Sequence, residues 1–220
     1  MNMVKCIKPP VIQLTSKQVW EKLGETDWTT FTQLYNSQRE TGRKNKGLRG
    51  QCLEKVLGIP NGSNLMDMTD GELKTYTVGQ SIKCTMLSAC LPHIIDDNGQ
   101  NRLFEKMNQV IYVAFNKSGG YVTHAKHQNH RDLFEQDYHH ICDVIRAAFH
   151  HGKTIREHTK HSTVTGPNKI LQIRTADTKR KGIPAEENQY HALKYKDVVL
   201  NDKNMAFYLR GKFGITLCNL

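Results

Sequence analysis

Short runs rich in β-branched and aromatic residues, GELKTYTV, IKCTMLSA, QVIYVAF (109–115) and KILQIRT (169–175), recur along this chain between stretches with helical spacing. Each run is of strand length and too short for a typical helix, and their mixture with helices restricts the chain to an α/β or α+β domain. The helical stretches are readable from their apolar spacing and their ends. Residues 14–35 predict one or two short helices, with Thr15 and Gln18 in capping-box relation and Gly24 as a stop. From Gly47 to Leu57 the apolar positions Leu48, Cys52, Leu53, Val56 and Leu57 follow helical spacing, and Gly58 is placed to cap the end. RDLFEQDYHHICDVIRAAF carries a stripe of Leu133, Phe134, Tyr138, Ile141, Ile145 and Ala148, and MAFYLRGKFGITLCNL reads as a strand to Leu209 followed by a short helix. At 220 residues this is a single domain, with loops at 116–130 and 176–204 as candidate hinges between a first lobe (1–115) and a second (116–220).

Charge narrows the partners. With 31 Lys and Arg against 21 Asp and Glu, the formal net charge is +10, which attracts polyanions, nucleic acid first among them. The N-terminus reaches two prolines without an apolar signal core, and no run of apolar residues is long enough to span a bilayer, so a cytoplasmic protein without a membrane partner is expected. The cysteines at 6, 52, 84, 90, 142 and 218 form no CxxC pair and read as reduced core thiols. The histidines, among them His124, His127 and His130, lack a Cys or acidic set to complete a zinc site and read as solvent- or phosphate-facing residues.

The densest chemistry lies in DMTDGELK, where Asp67, Asp70, Glu72 and Lys74 fall within eight residues at the mouth of a strand. Side chains alternate along a strand, so Glu72 and Lys74 share a face while Leu73 turns to the core. If Asp67 folds back, two carboxylates and an ammonium converge, and a hard oxygen-liganded cation such as Mg²⁺ relieves the repulsion. Such a cation binds phosphate oxygen and acidifies water, and Lys74 can orient that water, which is the chemistry of phosphodiester hydrolysis. The rival aspartate, Asp70, lies on a turn beside Gly71 and two residues from Glu72, which favours Asp67. Asp177 and Lys179 form a second (D/E)xK without a nearby upstream acid.

The spacing fits the PD-(D/E)xK nuclease pattern, and the surrounding blocks resemble a known family. KGLRGQCLEKVLG, GSN and DMTDGELKTYTV, then LQIRT, then MAFYLRGKFGITL, are similar in order to blocks of the MutH-like endonucleases. That family includes the strand-nicking enzyme of methyl-directed mismatch repair and type II restriction enzymes cutting GATC. The resemblance covers roughly residues 40–220. It implies a restriction-endonuclease-like core with a mixed central sheet flanked by helices, and two lobes forming a DNA cleft. Asp67, Glu72 and Lys74 take the catalytic places, with Asp67 and Glu72 on Mg²⁺; Glu54 matches an additional acid and Lys106 an additional lysine. The nicking enzyme has a longer gap between its Asp and Glu than the five residues found here.

The same resemblance makes Arg174 a base-reading residue and sets Tyr208 against the target, and an arginine bidentate to guanine is the commonest specific contact. Arg210, Lys212, Lys179, Arg180 and Lys181 read as phosphate contacts, as does the basic segment with Arg39, Arg43, Lys44, Lys46 and Arg49. The expected activity is Mg²⁺-dependent, sequence-specific cleavage of double-stranded DNA, restriction-type at GATC-like sites, by a monomer or a transient dimer on DNA. A mismatch-repair nickase is the alternative within the class. A non-catalytic DNA-binding protein is the alternative outside it.

Overall fold

A computed structural model describes residues 13–40, 47–60, 66–97, 100–176, 193–200 and 205–217. Contacts divide the chain into two units, Met1–Leu73 and Lys74–Leu220.

The first unit holds three helices: α1 (Ser16–Glu25), α2 (Trp28–Glu40) and α3 (Leu48–Leu57). Thr15 caps α1 as its sequence predicts: its hydroxyl accepts from the Gln18 N–H (3.2 Å), and the Gln18 side chain accepts from the Thr15 N–H (2.8 Å). Gly24 does not stop this helix, which runs on to Glu25. α3 ends on Gly58 in the left-handed region (φ 72°), a conformation that costs glycine nothing. Lys22 donates to the Leu57 carbonyl (2.8 Å), placing a cation at the negative end of α3. Val19, Leu23, Phe31, Cys52, Leu53, Leu57, Ile59, Met68 and Leu73 are the buried apolar residues among the described residues of this unit, whereas Val56 is exposed.

The second unit carries most of the strands. β1 (Glu72–Thr77) crosses the unit boundary and belongs to a three-stranded sheet of order β1-β3-β4, with β3 (Gln109–Phe115) antiparallel to β4 (Tyr121–Gln128). β4 occupies most of a stretch read from sequence as a loop, because its polar, His-rich composition hides a strand that pairs along the length of β3. The second sheet is antiparallel in order β2-β9-β6-β5: β2 (Ile82–Met86), β9 (Met205–Leu209), β6 (Leu171–Thr175) and β5 (Thr163–Thr165). β6 begins two residues later than the sequence run because Lys169 turns into the left-handed region (φ 59°). A separate hairpin joins β7 (Leu193–Tyr195) and β8 (Val198–Leu200). Its Tyr195 hydroxyl donates to Asp96, which also pairs with Lys196 at 2.8 Å.

Around these sheets lie α4 (Leu91–Asp96), α5 (Arg102–Asn108), α6 (Glu135–His150), α7 (Ile155–Thr159) and α8 (Gly211–Leu217). The predicted α6 stripe is buried at Phe134, Tyr138, Ile141, Ile145 and Ala148, while Leu133 is exposed. It joins one apolar cluster with Leu171, Ile173, Phe207 and Leu209 from the antiparallel sheet and with Val110, Tyr112 and Ala114 of β3. Each large side chain so buried contributes about 1.5–3 kcal/mol. Cys84, Cys90 and Cys142 are free thiols within this core, and burial pushes Cys90 up to about 12 and Cys142 to about 11. Helices combined with mixed or antiparallel sheets make this an α+β fold.

His124 and His127 of β4, and His130 in the turn just after it, depart from the solvent-facing role expected of them. His130 is fully buried, its Nδ1 bonded to the Tyr112 hydroxyl (3.0 Å) and its ring stacked on Phe213. His127 reaches the Leu217 carbonyl at the end of α8 (2.7 Å), and His124 is bonded to Tyr121 (2.6 Å). These rings fix packing between β3, β4 and α8. His139, His140, His150 and His151 are exposed.

Candidate active site and nucleic-acid interface

In the first unit the segment before β1 forms a tight turn, closed by the Met68 N–H on the Gly71 carbonyl (3.0 Å) and anchored by the fully buried Met68 side chain. The turn folds Asp67 back. Its Oδ2 accepts from the Leu73 N–H (3.0 Å), and its own N–H points to Glu72 Oε2 (3.4 Å). The Glu72 carboxylate, almost fully buried (1% exposed), thus lies against the Asp67 backbone, and the half-buried Asp67 carboxylate lies against the backbone of Leu73, the residue after Glu72. Buried carboxylates in proximity repel unless positive charge or donors compensate.

Asp70 points elsewhere. Its two oxygens accept from the N–H (2.6 Å) and hydroxyl (2.8 Å) of Ser16, in the first turn of α1, where a carboxylate is favoured by the helix dipole. The Thr69 N–H donates to Leu14 (2.9 Å) and the Gln13 side chain to Met66 (2.6 Å), so the chain entering α1 is stitched along the whole turn. Asp70 therefore serves to hold the turn that presents Asp67. Nothing in its sequence spacing shows this, because Ser16 lies 54 residues away.

Lys74 follows Glu72 by two positions on β1 and is half-buried. Glu54 is half-buried on α3, and Lys106 is half-buried on α5 in the second unit. Among the described residues no group of three or more His, Cys, Asp or Glu side chains gathers as a metal site. A carboxylate pair nonetheless suits Mg²⁺, which keeps several waters and is commonly held by one or two carboxylates together with substrate phosphate. The donor set of Asp67 and Glu72 fits that ion.

No protein family's sequence profile matches the chain, and no curated protein matches it.

The residues expected to read DNA meet on the antiparallel sheet of the second unit. Leu171 and Ile173 of β6, with Met205, Phe207 and Leu209 of β9, join the apolar cluster, so Gln172, Arg174 and Tyr208 share the opposite face, on which Gln172 and Tyr208 are buried and Arg174 is half-buried. Tyr208 pairs with Gln172 on one side and with Lys83 of β2 on the other, while Arg174 pairs with Thr163 of β5. The Arg174 guanidinium lies 4.3 Å from the Tyr208 ring centroid, a cation–π contact that fixes a long side chain without consuming its N–H donors. Gln172 and Lys83 were not singled out from sequence; the alternation of LQIRT alone would have put Gln172 on the Arg174 face. Arg210 is half-buried after β9, and Lys212 is exposed on α8. In the first unit Arg49 lies over the Tyr35 ring at 5.2 Å. Lys44, Lys46, Lys179, Arg180 and Lys181 lie outside the described residues. Among the described residues no helix is long and apolar enough to cross a membrane.

Proposed function

We propose that the protein is a Mg²⁺-dependent, sequence-specific endonuclease for double-stranded DNA with a PD-(D/E)xK core, restriction-type at GATC-like sites. The fold-back of Asp67 onto Glu72, ahead of Lys74 on the same strand, is the observation that carries this reading.

Asp67 and Glu72 would hold the cation, with Glu54 as an additional acid and Lys106 as an additional lysine. When bound, the cation supplies neutralisation of the phosphate and acidification of water. Lys74 holds a fixed positive charge beside the attacking water, favouring hydroxide and stabilising the extra negative charge of the five-coordinate phosphorus. The water oxygen forms the new P–O bond as the bond to the departing sugar oxygen breaks, and a proton must reach that oxygen as it leaves. Asp70, bonded to Ser16, keeps the Asp67 turn in place. Arg174 and Tyr208 face the bases, with Arg210, Lys212, Lys179, Lys44, Lys46 and Arg49 on the phosphates.

The test is incubation with unmethylated, hemimethylated and fully methylated plasmid in Mg²⁺, followed by end sequencing. Double-strand ends at one short sequence support the restriction reading, and nicks on a single strand of hemimethylated DNA transfer it to repair. Intact plasmid under all conditions refutes cleavage and leaves a DNA-binding protein.

A further inference from the structure

We infer that the β5–β6 hairpin and Arg210 form a binding site for one backbone phosphate of the DNA, built from Thr165, Lys169 and Arg210; this rests on the DNA-cutting reading above. These residues line a depression of about 470 Å³, together with Gly166 and Pro167. Arg210 is fastened to the hairpin by its N–H to the Ile170 carbonyl (2.9 Å) and by Nη1 to the Lys169 carbonyl (3.2 Å). A guanidinium has five N–H donors, so most of the fork is left for an anion. Among the described residues, the Lys169 ammonium and the Thr165 hydroxyl make no hydrogen bond or ion pair.

The hairpin is rigid before any ligand arrives. Asp137 of α6, fully buried, accepts from the N–H groups of Asn168 (2.6 Å), Ile170 (2.7 Å) and Leu171 (2.8 Å). Gly166 is packed so tightly against it that a Cβ there would lie 2.2 Å from the Asp137 side chain. The left-handed turn at Lys169 (φ 59°) is thus fixed from one end to the other, so the backbone that carries its ammonium need not be ordered on binding.

Register places this site with respect to the base-reading face. Arg210 stands by Ile170, Tyr208 opposite Gln172 and Arg174 opposite Ala206. Four residues of strand separate Ile170 from Arg174, about 13 Å at ~3.3 Å per residue. That span is less than half a turn of duplex, so one DNA molecule can meet both. An open depression with two cations holds a free anion weakly, whereas a phosphate delivered by a duplex already docked on Arg174 arrives at high local concentration.

The experiment measures binding in Ca²⁺ to cognate duplexes in which each phosphate in turn is a neutral methylphosphonate. Wild-type protein should lose affinity at one phosphate flanking the recognition sequence, and that loss should vanish in Lys169→Asn and in Arg210→Gln; asparagine is chosen because it tolerates the left-handed turn. Each variant should also lose about 3.5-fold less affinity than wild type between about 50 and 200 mM salt, as the slope of about 0.9 per phosphate requires. Identical methylphosphonate profiles in wild type and both variants overturn the inference while leaving the DNA reading intact. Displacement of DNA from wild type but not from Lys169→Asn by excess inorganic phosphate shows a free-anion site and overturns it also. Failure of wild type to bind any duplex removes the DNA reading and the inference with it.

Discussion

Replacing Asp137 by alanine removes an acceptor that holds three backbone N–H groups of the β5–β6 hairpin. The amides of Asn168 and Ile170 are partly exposed and regain water, so each lost bond to the carboxylate costs about 1 kcal/mol. The Leu171 N–H is buried and is left without its acceptor, which costs about 1–3 kcal/mol more. The sum, about 3–5 kcal/mol, is a large fraction of the stability of an ordinary domain. Asp137→Asn keeps the shape but turns an NH₂ toward N–H donors and should recover less than half of the loss. Gly166→Ala attacks the same contact from the other side, its Cβ falling 2.4 Å from the Asp137 Cα, and should destabilise by a similar amount. Urea melts at neutral pH provide the assay: with a slope of about 2 kcal/mol per molar, the Asp137→Ala midpoint should drop by about 2 M. A loss below about 1 kcal/mol would show that water replaces the carboxylate at all three amides, and the hairpin would not be the rigid element described here.

Asp70→Ala should cost about 1–2 kcal/mol through its two lost bonds to Ser16 and should raise the Mg²⁺ concentration needed for half-maximal cleavage, with Asp70→Asn intermediate; an unchanged Mg²⁺ requirement in Asp70→Ala argues against a positioning role. Burial, with His127 adding to it, lowers His130 to about 4, so the unfolded chain binds a proton that the folded one refuses. Stability is therefore fully present above the ordinary value near 6.5 and falls as pH drops toward 4, by about 2 kcal/mol between pH 7 and 5. His130→Phe should flatten that slope in urea melts at the two pH values; an equally steep slope assigns it to other groups. Arg174→Ala should cost about 1–3 kcal/mol on cognate DNA and little on random DNA in a Ca²⁺ binding titration, whereas equal losses on both would make it a backbone contact.

The elements with strong periodicity were legible before any coordinates. The α1 capping box, the Gly58 cap, β3 and the α6 stripe stand where their residues put them, because each is specified locally. β4 was not, since His124, Lys126 and His127 carry no apolar alternation and the strand exists through its pairing with β3. The burial of His130 depends on Tyr112 and Phe213, neither of them near it in sequence, and Asp137 reads as one more polar residue on a helix until the hairpin that it holds is known. At the candidate site, the spacing of Asp67, Glu72 and Lys74 could be read from the strand, but the bonding of Asp70 to a serine far upstream could not. The cation–π contact of Arg174 with Tyr208 follows from strand register, which sets the two diagonally across β6 and β9 and which no single run discloses.

The central claim is that Asp67 and Glu72 hold the cation for a reaction assisted by Lys74, and it is tested most directly by cleavage of plasmid in Mg²⁺ alongside duplex binding in Ca²⁺ for wild type, Asp67→Ala, Glu72→Ala and Lys74→Met. Wild type should cut at defined sites; the two carboxylate variants should not cut, and Lys74→Met should be slower by orders of magnitude, all three retaining DNA binding. Cleavage at the wild-type rate by Glu72→Ala or Lys74→Met would contradict the assignment of the reaction to this strand.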